Sequence, residues 1–208
     1  MGVLSRESVQ RRMTKPLDDA VGVVITPRPW SRDWDRDAVN LRLGNHFLLP
    51  QSPPPPSIAL NENGLRQSRV HVPWGNFLTL PPHHTVLGST LEFIKLPIDL
   101  SGQILTRSSI ARTFVVIETA PWIHPGYRGC LTLEIANVSN TTVLLHPGIP
   151  IGQLLFISVD LTEEEKAAPF SLSGSYVGPI VPEAPTFKPL SDQLRRVGAK
   201  HPKTLRIE

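Results

Sequence analysis

Cysteine is almost missing from this chain: Cys130 is the only one in 208 residues. A lone thiol excludes an internal disulfide and suits a reducing compartment. It also excludes zinc held by a Cys-x-x-Cys pair. Long apolar runs are missing too; nowhere do ~18 such residues follow one another, so no membrane-spanning helix is expected. The first residues lack an apolar signal region, because Arg6, Glu7, Arg11 and Arg12 intervene at once. Gly2 does not open a myristoylation signal, since Arg6 stands where that signal wants Ser or Thr. The expected location is the cytoplasm. Charge of one sign is scarce: the formal net charge is +3, with no block of about five or more like charges. A nucleic-acid surface needs a clustered basic face, and none is written here. Asn137-Val-Ser139 and Asn140-Thr-Thr142 fit the glycosylation pattern, which means little without secretion.

Proline, by contrast, is abundant at 22 residues. Each one removes a backbone donor and interrupts helices and central strands, so many short elements joined by fixed turns are expected. Hydrophobic residues make up 40%, enough for the core of one domain at this length. A short helix is predicted over 5–13, capped by Ser5, with Glu7 in its first turn and Val9 and Met13 on one face. Val21 to Ile25 reads as a strand closed by Pro27 and Pro29. Residues 38–43 alternate, placing Val39, Leu41 and Leu43 on one face and Asn40 and Arg42 on the other. Pro53 to Pro56 mark an exposed polyproline loop over 50–57, read as a stiff spacer. From Phe77 on, eight β-type runs follow: 77–80, 85–88, 91–95, 103–106, 114–118, 131–136, 142–146 and 152–159. Turns at Pro81-Pro82, Pro97, Pro125-Gly126 and Pro147-Gly148 separate several of them. Such spacing predicts a barrel or jelly-roll sandwich. Thr162 and Glu165 form a capping box for a helical turn over 162–168. Beyond it, 169–190 is proline-punctuated, and 191–197 reads as a basic helix stopped by Gly198. The expected division is a β domain over 1–168 and a C-terminal arm or lid over 169–208.

Three segments carry candidate chemistry. Arg107-Ser108-Ser109-Ile110-Ala111-Arg112 puts two guanidiniums and two hydroxyls just after a strand. That set suits an oxyanion cup, since charge-assisted Arg–phosphate bonds contribute about 1.5–3 kcal/mol each; as a bare pattern it equally suits a solvated turn. Glu134 alternates with Leu133 and Ile135, so it shares a face with Thr132 and Ala136. It is either a carboxylate on a wet sheet face or a general base. His124-Pro125-Gly126-Tyr127 is a tight turn bringing an imidazole and an aromatic ring together. Tyr127 either packs on a sugar or caps a barrel end. His83-His84 is adjacent, without metal-ligand spacing, and reads as a turn. Any deamination by this chain is therefore expected to be metal-free at the reacting carbon.

Taken in order, five segments resemble the dCTP deaminase/dUTPase family, and its deaminase branch most. They are VLSRESV at 3–9, AVNLRLG at 38–44, TLEFIKLPIDLSGQILTRSSIAR at 90–112, TAPWIHPGYRGCLTLEIANVS at 119–139 and PGIPIGQLLF at 147–156. The resemblance implies an all-β, distorted jelly-roll or β-barrel fold of the dUTPase-like type, with the short N-terminal helix and C-terminal arm already noted. It implies a homotrimer with active sites at subunit interfaces, binding dCTP or dUTP, with Mg²⁺ carried on the triphosphate. Arg107, Ser108, Ser109 and Arg112 match its phosphate-binding motif, and Gln153 matches a glutamine near the phosphates. Tyr127 matches the aromatic on the deoxyribose, His124 stands at a sugar-contacting position, and Thr119 and Ala120 match the base-recognising backbone. Glu134 matches the catalytic carboxylate, and Tyr176 the lid tyrosine.

The implied reaction is hydrolytic deamination of dCTP to dUTP and ammonia, with Glu134 as general base. Two other readings use the same residues: a dUTPase-like or bifunctional hydrolase releasing pyrophosphate, and a nucleotide-sensing paralogue without turnover. The sequence departs from the family where His124 and Asn40 replace Asp, where Ser175-Tyr176-Val177-Gly178-Pro179 departs from the lid pattern, and by one residue fewer between Arg112 and Ala120.

Overall fold

The structure, a computed structural model, describes residues 2–16, 19–51, 66–118, 120–167 and 178–186. Its first element is the expected helix, α1 (Arg6–Arg12). The Ser5 side chain accepts from the Ser8 backbone N–H, and Arg11 and Arg12 occupy the last turn, where the helix dipole favours cations. Val9 is buried, and Arg12 reaches Asp99 at 2.8 Å, so the helix is tied to the body at both faces. No helix among the described residues is long and apolar enough to cross a membrane.

Among the described residues twelve strands follow: β1 (Val24–Thr26), β2 (Ala38–Arg42), β3 (His46–Pro50), β4 (Gln67–His71), β5 (Leu78–Leu80) and β6 (Thr85–Lys95), then β7 (Leu100–Thr106), β8 (Val115–Ile117), β9 (Trp122–Ile123), β10 (Arg128–Asn137), β11 (Val143–Leu145) and β12 (Pro150–Ser158). A 3-10 turn at Ser31–Asp33 and two short helices, α2 (Ser108–Ala111) and α3 (Glu163–Ala167), complete the order. One sheet runs β4-β3-β6-β10-β8, with β1 also on β6; a second runs β2-β12-β7-β9; β5 and β11 form a pair. Every pairing among these strands is antiparallel. All three sheets feed one buried cluster, with Phe47, Ile94 and Leu133 from the first, Leu41, Leu100 and Leu154 from the second, and Leu80 and Leu145 from the pair. This is the all-β layered architecture that the short, turn-punctuated runs predict. Among the described residues the strand pairings leave it an open jelly-roll sandwich, not a closed barrel.

Where the elements differ from expectation, the reasons are local. The runs 85–88 and 91–95 are one strand, β6, interrupted by an irregularity. Cys130 pairs with Phe93 but Thr132 with Ser89, so Leu131 stands against Thr90, Leu91 and Glu92. The Thr90 hydroxyl supplies the lost ladder contacts, accepting from Leu131 N at 2.9 Å and donating to Glu92 O at 2.8 Å. Strands β3, β4 and β9 escape a search for alternation. β4 (QSRVH) lies on the sheet edge with only β3 beside it, and so needs little apolar content. β1 begins at Val24, because Val23 N instead bonds to Arg12 O at the end of α1. In β2 both faces are covered: Asn40 is buried together with Val39 and Leu41. The capping box holds, with Thr162 N donating to Glu165 Oε2 at 2.8 Å and Glu165 N to Thr162 Oγ1 at 3.2 Å. Contact with Thr162 holds the Glu165 carboxyl below its ordinary value. The polyproline stretch 53–56 and the helix expected over 191–197 lie outside the described residues.

Candidate active site

β10 builds the floor of the site through simple alternation. Leu133 and Ile135 point into the core, leaving the half-buried Thr132 and Glu134 on the opposite face. A cavity of about 420 Å³ lies over that face. Its apolar walls are Leu87 and Leu131 together with Pro179 and Pro185. Its polar lining is Gln67, Thr132, Glu134 and Glu183, and Ala120 and Tyr127 close the side. The expected residues Ala120, Tyr127 and Glu134 are thus brought to one place.

Tyr127 is positioned by its turn. Gly126 adopts φ +75°, a conformation costly for residues with a Cβ, and its N–H donates to Pro97 O. Tyr127 N donates to His124 O at 3.2 Å, and Tyr127 O accepts from Leu96 N at 2.9 Å. Its hydroxyl donates to Cys130 O at 2.8 Å, so the ring lines the cavity with its polar tip already engaged. Burial pushes the phenol well above its ordinary value, with Cys130 and Glu183 adding to the effect. His124 is exposed and is not among the cavity's lining residues.

The remaining wall comes from the C-terminal segment 178–186, which runs along the edge of β10 left open by β8. Gly178 N donates to Arg128 O at 2.6 Å, Cys130 N to Pro179 O at 2.7 Å, and Glu183 N to Thr132 Oγ1 at 3.2 Å. Gly129 makes the close approach possible, since a Cβ there would stand 2.5 Å from Pro179 Cδ. Among the described residues, neither Glu183 Oε2 nor Gln67 Oε1 has a hydrogen-bond partner, although both atoms are buried. Sequence reasoning missed Glu183, Gln67 and Thr132. Alternation on β10 pointed to Thr132; no local pattern marks the other two.

The predicted phosphate-binding residues lie elsewhere on the chain. Arg107 to Arg112 make one tight turn around α2, where Ile110 and Ala111 both donate to Arg107 O and Arg112 N donates to Ser108 O. Ile110 packs toward the core, while Ser108, Ser109 and Arg112 are exposed. None of these lines the cavity, nor does Gln153, whose amide donates to Asp35 Oδ2 at 2.8 Å. The two parts are joined by β8: it leaves the α2 turn, pairs with β10 over 135–137, and Glu118 N then bonds Glu134 O at 2.8 Å. Thr119 and Tyr176 lie outside the described residues. Among those residues, no group of three or more His, Cys, Asp or Glu is placed to hold a metal ion.

An antiparallel all-β domain with a carboxylate-floored cavity defines the class, and comparison with known proteins supplies the family. Residues 3–165 match the family model described as dCTP deaminase-like, and the chain belongs to that family. It is 35% identical over 148 residues to a protein of Coprothermobacter proteolyticus named dCTP deaminase, dUMP-forming, covering 70% of this chain and 78% of that one. A protein of the same name from Methanoregula boonei is 38% identical over 128 residues, covering 61% and 69%. One from Halorubrum lacusprofundi, named dCTP deaminase, is 35% identical over 158 residues, covering 74% and 73%. The crystal structure of 2'-deoxycytidine 5'-triphosphate deaminase from Agrobacterium tumefaciens superposes with a TM-score of 0.57 at 17% identity. That superposition covers 79% of this chain and about half (51%) of the other, and shows a shared fold.

Proposed function

We propose that the chain hydrolytically deaminates dCTP, with Glu134 as general base. The observation that carries this reading is the cavity itself: in a chain of this family, Glu134, Tyr127 and Ala120 line one cavity. Glu134 takes a proton from a water that attacks C4 of the cytosine and passes it to N3, then moves that water's second proton to the amino group, which leaves as ammonia. The pair of transfers gives dUTP. General acid–base catalysis of this kind is worth roughly 10²–10⁴-fold. Arg107, Ser108, Ser109 and Arg112 bind the triphosphate, and Mg²⁺ enters with its phosphate oxygens, as that ion prefers. Because Ser108, Ser109 and Arg112 are exposed and the whole cluster lies apart from its own chain's cavity, the reading includes a homotrimer in which a neighbouring copy completes each site.

The leading expectation from sequence ended at dUTP, with a bifunctional, pyrophosphate-releasing hydrolase as an alternative. Two of the relatives above carry names ending in "dUMP-forming", which favours a second step at this site: water attacks the triphosphate, releasing pyrophosphate and leaving dUMP. Against that step, His124 is exposed and replaces a carboxylate that the resemblance places there.

The deciding experiment incubates the full chain with dCTP and Mg²⁺ and follows nucleotides by chromatography and ammonia in parallel. Ammonia matched by dUMP and pyrophosphate establishes both steps, and ammonia matched by dUTP establishes deamination alone. Glu134→Gln should lower ammonia release by about 10²–10⁴-fold while nucleotide binding persists. Unchanged turnover in that variant removes Glu134 from the role.

A further inference from the structure

We propose that Glu183 is a substrate-binding residue that selects a 4-amino over a 4-oxo pyrimidine, accepting a hydrogen bond from the ring's exocyclic amine. The inference rests on the dCTP reading above and names a specificity determinant within the same cavity.

The geometry begins with the docked C-terminal segment. Glu183 is fixed by its own backbone, whose N–H donates to Thr132 Oγ1 at 3.2 Å, and Thr132 is two residues from Glu134 on the same face of β10. Its side chain therefore enters a cavity whose neighbouring walls are Leu87, Leu131, Pro179 and Pro185. In those surroundings Oε2 is buried and, among the described residues, without a donor. A carboxylate oxygen withdrawn from water with no partner costs free energy unless a ligand supplies the donor. The same cavity shields Gln67 Oε1, a second acceptor without a partner among the described residues. Gln67 can present its NH₂ by rotating the amide, but a carboxylate can only accept.

What fits a fixed acceptor is an N–H. The 4-amino group of cytosine is such a donor, and Glu or Asp accepting from it is an established pairing mode. Uracil carries a carbonyl at the same position, which would set two acceptors against each other. A single group thus favours the amino ring over the deaminated one.

The test compares binding of the α,β-imido analogues of dCTP and dUTP, with Mg²⁺, to the full chain carrying Glu134→Gln and to the Glu134→Gln/Glu183→Gln double variant. In the first protein the amino analogue should bind tighter. In the second, the ratio of the two dissociation constants should fall roughly tenfold to a hundredfold, the worth of one hydrogen bond to a charged group. Amide exchange at Cys130 and Gly178 is followed in both proteins. An unchanged ratio overturns the proposal. So does a reduced ratio accompanied by faster exchange at those amides, because Glu183 would then act by seating the segment. If the first protein binds neither analogue, the dCTP reading itself fails and this proposal falls with it.

Discussion

Glu92 accepts two hydrogen bonds from one residue, Arg42: its Oε2 from the backbone N–H at 2.8 Å and its Oε1 from Nε at 2.6 Å. Only 1% of the Glu92 side chain meets solvent. The pair ties the irregular middle of β6 to the end of β2, and so one sheet to the other. Removing one partner of a buried pair strands the other, at a cost of about 3–5 kcal/mol. Glu92→Ala should lose about that much in urea-unfolding free energy, and a loss below about 1 kcal/mol would refute the account.

The same residue makes a prediction about pH. Burial raises the Glu92 carboxyl above its ordinary 4.5, with the contacts from Arg42 pulling the other way. Because the folded state holds the proton more tightly than the unfolded chain, this contribution to stability is complete below about pH 4.5. It declines as pH rises through the elevated folded value. The stability of the native protein minus that of Glu92→Gln should therefore shrink as pH climbs out of the acid range. A difference that stays level or grows contradicts it.

Asn137 is 1% exposed at the end of β10 and organises three chain segments. Its Nδ2 donates to Leu80 O, Pro81 O and Thr141 O at 2.8 to 3.0 Å. Its Oδ1 accepts from Ser139 N at 3.0 Å and Ser139 Oγ at 2.7 Å. Burial closes the Asn137-Val-Ser139 glycosylation pattern for a structural reason. Asn137→Ala removes all three donations, leaves the buried Leu80 carbonyl without this donor, and should cost about 2–4 kcal/mol. Asn137→Asp, which sets a carboxylate against those carbonyls, should cost more. Urea midpoints for the two variants settle the order.

Cys130 is 6% exposed. Burial pushes its thiol above the ordinary range, and the charge of Glu92 adds to that. Alkylation proceeds through the thiolate, so native protein at about pH 8 should react with iodoacetamide at least ~10²-fold more slowly than urea-unfolded protein. Comparable rates would mean that β10 opens readily at this point.

Local signals were legible and long-range ones were not. Ser5 and the Thr162–Glu165 pair announce their helices because capping is a contact between near neighbours. The alternation around Glu134 shows which face it takes because a strand repeats every two residues. By contrast, the docking of 178–183 on β10 relies mainly on backbone N–H and C=O groups, which every residue carries, so Glu183 had no local signature. The separation of Arg107, Ser108 and Arg112 from Glu134 depends on where β8 leads the chain, and motif order alone does not reveal it.

Gly129 offers a way to move that segment without altering a lining side chain. Its φ of +144° is one that L side chains rarely adopt, and a Cβ would sit 2.5 Å from Pro179 Cδ and 3.0 Å from Pro179 N. Gly129→Ala must therefore displace Pro179, breaking the Cys130 N to Pro179 O and Gly178 N to Arg128 O bonds. The core residues Leu131, Leu133 and Ile135 keep their places, so domain stability should fall by only about 1–2 kcal/mol, the cost of backbone strain. Cleavage within 178–186 by a nonspecific protease should become clearly faster than in the native protein. Turnover of dCTP should fall as well, because the cavity loses Pro179, Glu183 and Pro185 from its wall and opens to water. Full activity in a variant whose segment is demonstrably cleaved would show that β10 and the Tyr127 turn suffice for the chemistry, and would confine the C-terminal segment to a structural role.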